Sequence, residues 1–489
     1  MTSGAKLDRR NTFGLLLLSL GVALIVVDMS IVNLVLPQIA RELGLGFSGL
    51  QYVSALFSLA AAAVVVAAGD VADRIGPRRA YLGGLAVFLA GSALAAVAPS
   101  DVVMYAARVI QGLGGGAALT AALGTINAAY AGPARGTAFA LYGATFAAAC
   151  AAGPLLGAVI AELVNWRWAF GVNLVLGPLA FAGVARLVPD VAPHAAARRP
   201  DVAGTILVSG ALTAVTFAIV QGVGAAWAVA TVLFGAFAVV QRVKVRRGAA
   251  AILDPVLTRV RSFTFGSLAL LIVGVGEFGL MFLLPLVQQA GMGLTPIEAG
   301  LVGLPVPVFA IVAFPLMQAF AARADERTTV VAGLLLEAAG LGGVALALGG
   351  GPLWMIPGLA VYGLGVGAAT AQLSALVLAD VPAARNGLAS GISSAVRQLG
   401  STLGVGLLGA VFSAALSGPL ADRPVQTVTQ LRASGDAAGV AHAADALANG
   451  LSGAALVAAA FLLVGALAIR LQPRRTTRQT NAAPAPAAA

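Results

Sequence analysis

Apolar runs long enough to cross a bilayer recur from one end of this chain to the other, and they leave few folds open. A hydrocarbon core of about 30 Å needs roughly 20 apolar residues in a helix. Fourteen stretches meet that need, at about 12–36, 49–69, 80–98, 101–124, 136–160, 167–188, 203–221, 224–241, 264–288, 298–320, 328–348, 353–377, 386–415 and 450–471. Lipid offers backbone groups no hydrogen bonds, and an open strand edge cannot face it, so each run is expected to be a helix. Of the 489 residues, 60% are hydrophobic and only 10% charged. A soluble domain carries about a quarter charged residues. Too few polar groups remain to cover a water-facing surface. The expected fold is an all-α polytopic membrane protein.

Charge placement orients the helices. With the N-terminus in the cytoplasm, 23 of the 29 cations fall in inner segments. Only Arg41, Arg167, Arg423 and Arg432 fall in outer ones, while Arg108 and Arg397 lie within spans. Positive charge concentrates on the cytoplasmic side, so both termini are expected inside. The high alanine and glycine content points to a bacterium, and so to its cytoplasmic membrane for this multi-pass chain. The net charge of +10 is then explained by topology and anionic lipid, and no nucleic-acid partner is expected. The first run is too long for the core of a signal peptide and has no small-residue cleavage site after it, so it reads as a retained helix. Cys150 is the only cysteine, and His194 and His442 lie outside the apolar runs. No disulfide, metal site or cofactor is expected.

Segment 189–202, with Pro189, Pro193 and Pro200, reads as a linker, and 242–263 is a second basic segment. The chain divides into a first six-helix bundle (1–188), a linker with an inserted helix pair (189–263), a second six-helix bundle (264–471) and a disordered cytoplasmic tail (472–489). Two related bundles suggest an internal repeat, with a binding site between them. The outer segment 416–449 is polar and alanine-rich, with no evident core.

An ionisable side chain inside a span is costly and is a functional candidate by default. Five qualify: Asp28, Arg108, Glu277, Glu337 and Arg397. At about 1.5 Å per residue, Asp28 lies roughly 12 Å from the outer end of helix 1 and Arg108 roughly 10 Å from that of helix 4. A shared depth allows pairing, and protonation of Asp28 would loosen its hold on Arg108. The alternative is a fixed ion pair that sets helix packing. Glu277, midway along helix 9, can take a proton or attract a cation if it faces a cavity. It can equally be a protonated group bonded within the bundle. Glu337 is placed with the cavity candidates, although a structural role is open to it too.

Between helices 2 and 3, Gly69-Asp70-Val71-Ala72-Asp73-Arg74-Ile75-Gly76-Pro77-Arg78-Arg79 reads first as a charged turn. Its acids, glycines and basic pair at this position resemble the loop signature of the major facilitator superfamily. The resemblance implies a conformational latch made of Gly69, Asp70, Asp73, Arg74, Gly76 and Arg78. The counterpart in the second half, Arg323-Ala324-Asp325-Glu326-Arg327, is degenerate. Asp28-Met29-Ser30-Ile31-Val32-Asn33 is similar to the helix 1 signature of drug:proton antiporters. Arg108 with Gln111-Gly112 and Gly114-Gly115-Gly116 is similar to the helix 4 signature linked with proton transfer. In helix 5, Gly153, Pro154 and Gly157 resemble the antiporter signature, with alanines at 149 and 158 where glycine is common. Trp166-Arg167-Trp168-Ala169-Phe170 followed by Asn173 resembles the outer approach to helix 6 in the fourteen-helix branch. Arg397 with Gln398 and Gly400 resembles a recurrent stretch of that branch, and a gating or packing role is implied.

The resemblance implies a proton-coupled exporter of small organic molecules such as drugs or antibiotics, working by alternating access. Asp28 and Arg108 would couple protons, and Glu277, Asn33, Gln111 and Glu337 would face the substrate. Gly153, Pro154, Gly157 and Arg397 would serve gating. Its partners would be protons, a lipophilic substrate that can be cationic and the lipid bilayer, with the monomer as the working unit. A dedicated exporter of one endogenous metabolite is the alternative, and a non-transport scaffold or receptor a more distant one. No nucleophile–base motif points to an enzyme. A P-loop needs a lysine at the end of its glycine run, and neither Lys6 nor Lys244, the only lysines, has that setting.

Overall fold

Among the described residues, fourteen helices are long and apolar enough to cross a membrane. The computed structural model describes residues 9–130, 132–191, 201–221, 223–247, 249, 251, 257, 259–321, 326–381 and 386–471. Among the described residues there is no strand. The first six helices are α1 (Arg9–Leu43), α2 (Phe47–Ile75), α3 (Pro77–Ala96), α4 (Asp101–Ala129), α5 (Gly132–Leu163) and α6 (Trp168–Leu187). Then come α7 (Val202–Gln221), α8 (Gly224–Arg246) and α9 (Arg261–Leu286), which a π-turn extends through Val287–Gly291. α10 runs in two pieces, Pro296–Gly303 and Pro305–Ala321, and is followed by α11 (Glu326–Ala347), α12 (Met355–Leu378), α13 (Asn386–Ala414) and α14 (Ala437–Arg470). With an even number of spans, α1 begins and α14 ends on one side, here the termini end. The opposite side is the far end.

Helices in lipid gain little from hiding apolar surface from one another, so small residues that permit close approach decide who packs with whom. α4 is built this way. A Cβ on Gly112 would lie 2.3 Å from the Phe57 carbonyl oxygen of α2, and one on Gly114 2.2 Å from the Phe88 nitrogen of α3. One on Gly116 would lie 2.8 Å from the Ala61 carbonyl oxygen of α2. In the second half, Gly340 and Gly365 bring α11 and α12 into the same intimacy, and Gly274 and Gly400 do so for α9 and α13. Helices α1–α6 pack largely among themselves, as do α9–α14. The pair α7–α8 packs on itself and lays α7 against both α2 and α13, at the seam between the two groups. Asp201 pins the pair by accepting from the backbone of Gly204 at 2.7 Å and from the side chains of Gln241 and Lys244.

The seam is closed at the far end. Leu34, Ala158 and Ala299 form a small apolar plug there. Gln289 donates to the Leu34 carbonyl at 2.9 Å, the Ile297 amide donates to Glu162 at 2.8 Å, and Gln51 donates to the Val405 carbonyl at 3.0 Å.

Two sequence expectations change. The turn between the second and third spans is much shorter than eleven residues. α2 continues through Ile75, and Gly76 alone, at φ 94°, makes the bend into α3. Side chains carry the turn less than glycine's access to positive φ does. The far-end segment 416–449 is not coreless. It folds into short helices at Pro419–Asp422 and Pro424–Ala433, which bury Leu420, Val425 and Val428, and α14 already starts at Ala437. Gln426 caps the turn between α1 and α2 by donating to the carbonyls of Ala40 and Leu45, each at 2.8 Å. Alanine scores weakly for hydropathy, yet it suits a helix packed closely on its neighbours.

The glycine contacts can be tested within one helix pair. Overpacking typically costs about 1–3 kcal/mol, so Gly114→Val should sharply reduce the monodisperse fraction after detergent extraction. Gly83→Val, where an added Cβ meets nothing within 4 Å, should leave it unchanged.

Candidate functional site

Two ion pairs lie inside the helical body, one in each half. The first joins Asp28 of α1 to Arg108 of α4 at 2.8 Å, with side chains 0% and 2% exposed. A bare pair would not survive there, because desolvating two charges costs more than their attraction returns unless the remaining donors and acceptors are also met. Here they are met. Arg108 Nε donates to the Val53 carbonyl of α2 at 2.9 Å, and Nη1 also donates to Gln111 Oε1 at 2.8 Å. The Gln111 amide donates to the second oxygen of Asp28 at 3.0 Å and to Ser92 of α3 at 2.9 Å. Asn173 of α6 donates to that same oxygen at 2.8 Å. The guanidinium lies 4.8 Å from the centroid of the Phe57 ring. Four helices thus meet on one carboxylate and one guanidinium, and α3 joins them through Ser92, which accepts from Gln111 and Asn173.

The second pair joins Arg397 of α13 to Glu277 of α9. One guanidinium nitrogen donates to both carboxylate oxygens, at 2.9 and 3.3 Å. These side chains are 29% and 16% exposed, and Cys150 of α5 lies close enough for both charges to act on its thiol. The pair therefore stands beside the seam, within reach of the first half.

The remaining expected residues divide. Gln111 does not line an open space, since it is wholly enclosed in the Asp28 network. Its spacing of three from Arg108 puts both on one helix face, and that face turns into the bundle. Glu337 is also fully buried, packed under the backbone of α12 at Gly365. Asn33 accepts from Ser54 at 2.6 Å and stays partly exposed. Gly153 and Gly157 seat α5 against Ser30 and Ile31 of α1. The Pro154 carbonyl and Ala158 meet Gly300 of α10, so the small residue needed at that crossing stands on the opposite helix. Arg78 donates to the Ala185 carbonyl and Arg79 pairs with Asp190 at 2.9 Å, which ties the start of α3 to the end of α6. Gly69, Asp70, Asp73 and Arg74 lie in the last turns of α2, and the side chains of Asp70 and Asp73 are outside the described residues. So are residues 323–325 of the expected counterpart. A crevice of about 300 Å³ at the far end, beside Tyr52, Asp101 and Tyr105, touches none of these groups.

Sequence reasoning did not single out Ser92 or Asn173 as site residues. Asn173 carried a signal, being an amide inside an apolar span. Ser92 carried little, because a serine can satisfy itself on its own helix, as it does with the Phe88 carbonyl.

The pattern that defines the Major Facilitator Superfamily matches residues 18–405. The chain belongs to that superfamily. It is a multi-pass membrane transporter and not an enzyme, and it has bacterial multidrug and antibiotic efflux transporters among its relatives. It is 31% identical to the multidrug resistance protein Stp of Mycobacterium tuberculosis, over 85% of this chain and 78% of that one. It is 31% identical to the puromycin resistance protein pur8 of Streptomyces alboniger, over 86% of each. A bacterial homolog of the human lysosomal transporter Spinster, solved inward-facing and unoccupied, shares the fold at a TM-score of 0.64, with 17% identity over 96% of this chain and 98% of that one.

The network's geometry sets an order of sensitivity. Lysine lacks the planar fork that serves Asp28, Gln111 and the Val53 carbonyl together. Arg108→Lys should therefore reach the membrane but lose at least tenfold in transport rate. Asn173→Ala, which leaves the ion pair intact, should lose less; wild-type rates in both would reduce the network to packing.

Proposed function

We propose that this transporter is a proton-coupled antiporter that exports lipophilic small molecules, drugs or antibiotics among them, by alternating access. The observation that carries this reading is the half-sheltered Glu277–Arg397 pair at the seam, across from α5. A carboxylate there meets whatever passes between the halves and can exchange its arginine for a cationic substrate. The names of its relatives, a multidrug and a puromycin resistance protein, support drugs or antibiotics as the cargo.

In this reading Asp28 and Arg108 are the coupling pair of the first half. Protonation of Asp28 would cancel the charge that this network is built around, and so change how α1 and α4 pack. α1–α6 and α9–α14 would rock as two units about the seam. The cation distribution supports a cytoplasmic termini end, and on that orientation closure at the far end would correspond to the inward-facing state. Gly153, Gly157 and the Pro154 turn would let α5 slide on α1 and α10. The short bend at Gly76 and the Arg78 contact would keep α3 and α6 moving together. A dedicated exporter of one metabolite is the second reading, favoured by the single antibiotic in the name of pur8.

Everted vesicles from a pump-deficient host, loaded from a panel of antibiotics and dyes, test this directly. An imposed pH gradient should drive uptake by the wild-type protein. Asp28→Asn and Arg108→Ala should each abolish driven uptake while leaving insertion intact, and full activity in either would end the coupling assignment. Glu277→Gln should lose cationic substrates selectively; equal loss of neutral ones would remove its part in charge recognition.

A further inference from the structure

Asp28 and Glu337 are both acids enclosed in the helical body, and their surroundings are opposite. Asp28 meets an arginine and two amides. Neither oxygen of Glu337 has a hydrogen-bond partner among the described residues, although the side chain is fully buried. α12 crosses so closely that a Cβ on Gly365 would lie 2.4 Å from the Glu337 nitrogen and 2.6 Å from its Cγ. An unpaired carboxylate in such a place costs several kcal/mol, and a group in that position ordinarily sheds its charge.

Its neighbours make this more than a packing oddity. Tyr362 of α12, also fully buried with its hydroxyl unpartnered among the described residues, lies within electrostatic range. So do Glu277 of α9 and Arg397 of α13. α14 also packs against α11, but it brings aliphatic and small residues such as Leu462 and Gly465 to this level. Its ionisable groups, His442, Asp445 and Arg470, lie towards its ends. The cluster therefore holds two carboxyl groups and one guanidinium. It is neutral only if one carboxyl carries a proton, and the acid without a partner is Glu337.

We propose that Glu337 is a proton-binding site of the second half, and that it shares the single guanidinium of Arg397 with Glu277. In the state seen, Arg397 serves Glu277 and Glu337 keeps its proton. An organic cation of one positive charge that pairs with Glu277 frees Arg397 to turn to Glu337. The O–H bond of Glu337 then breaks, its proton leaves to solvent between the halves, and the carboxylate pairs with the arginine. One cation enters as one proton leaves, and the cluster is neutral before and after. Departure of the cation reverses each step. This use of the site rests on the antiport reading, whereas the proton on Glu337 does not.

Infrared spectroscopy of the full chain reconstituted in lipid at neutral pH tests the site without needing a substrate, through the carbonyl stretch of a protonated carboxyl group. The wild type should show that band, and Asp28→Asn should keep it. Glu337→Gln, a near-isosteric change, should remove it. Glu277→Gln should also remove it, because the released Arg397 then pairs with Glu337 and displaces its proton. Absence of the band in the wild type, or its persistence in Glu337→Gln, would overturn the proton site. Persistence at full strength in Glu277→Gln would overturn the sharing of Arg397. If the bands behave as expected while no pH gradient drives uptake by wild-type vesicles, the antiport reading fails and the proton site stands.

Discussion

A charge that cannot reach water must find its counterpart inside the protein, and the first half of this transporter is arranged around that requirement. The Asp28–Arg108 pair draws on α1 and α4 directly, on α2 through the Val53 carbonyl, and on α3 and α6 through Ser92 and Asn173. Glycines are the condition for this convergence. A Cβ on Gly91 would meet the backbone nitrogen of Gln111 at 2.6 Å, so any larger residue there would push Gln111 out of reach of Ser92. Packing and electrostatics here are one constraint. The small residues bring the helices near enough to satisfy the charges, and the satisfied charges select that packing over others of similar area.

The second half meets the same requirement incompletely. Arg397 can serve Glu277 or Glu337, and it serves Glu277. A saturated network such as that of Asp28 tolerates one arrangement, while a cluster with one guanidinium for two acids can adopt two. Bistability of that kind is what converts a local charge change into helix movement. The half-exposed position of Glu277 and Arg397 puts this freedom where a passing molecule can bias it.

The far end shows how the two halves hold together without a large polar interface. Its closure uses a three-residue apolar plug, a few side-chain bonds to carbonyls and amides, and the Gln426 cap on the turn between α1 and α2. Each bond is modest, about 0.5–1.5 kcal/mol net, so the set can break together during opening. α7 leans on both α2 and α13, which puts the inserted pair where any change in the seam must pass.

Much of this was legible without coordinates. The lengths of the apolar runs determine helices and their number, because a bilayer leaves no other way to satisfy the backbone. The rarity of charges within those runs singled out Asp28, Arg108, Glu277, Glu337 and Arg397, and the structure brings them together as two pairs and one solitary acid. Spacing along a helix gives depth and face, but not which neighbour that face meets. Only the tertiary structure decided that Gln111 is enclosed, that Asn173 and Ser92 complete the Asp28 network, and that Glu337 has no donor among the described residues. These outcomes depend on which helices cross and how closely, and glycine contacts between segments far apart in sequence settle that. The fourteen spans belong to the sequence alone; the difference between a saturated acid and an orphaned one belongs to the fold.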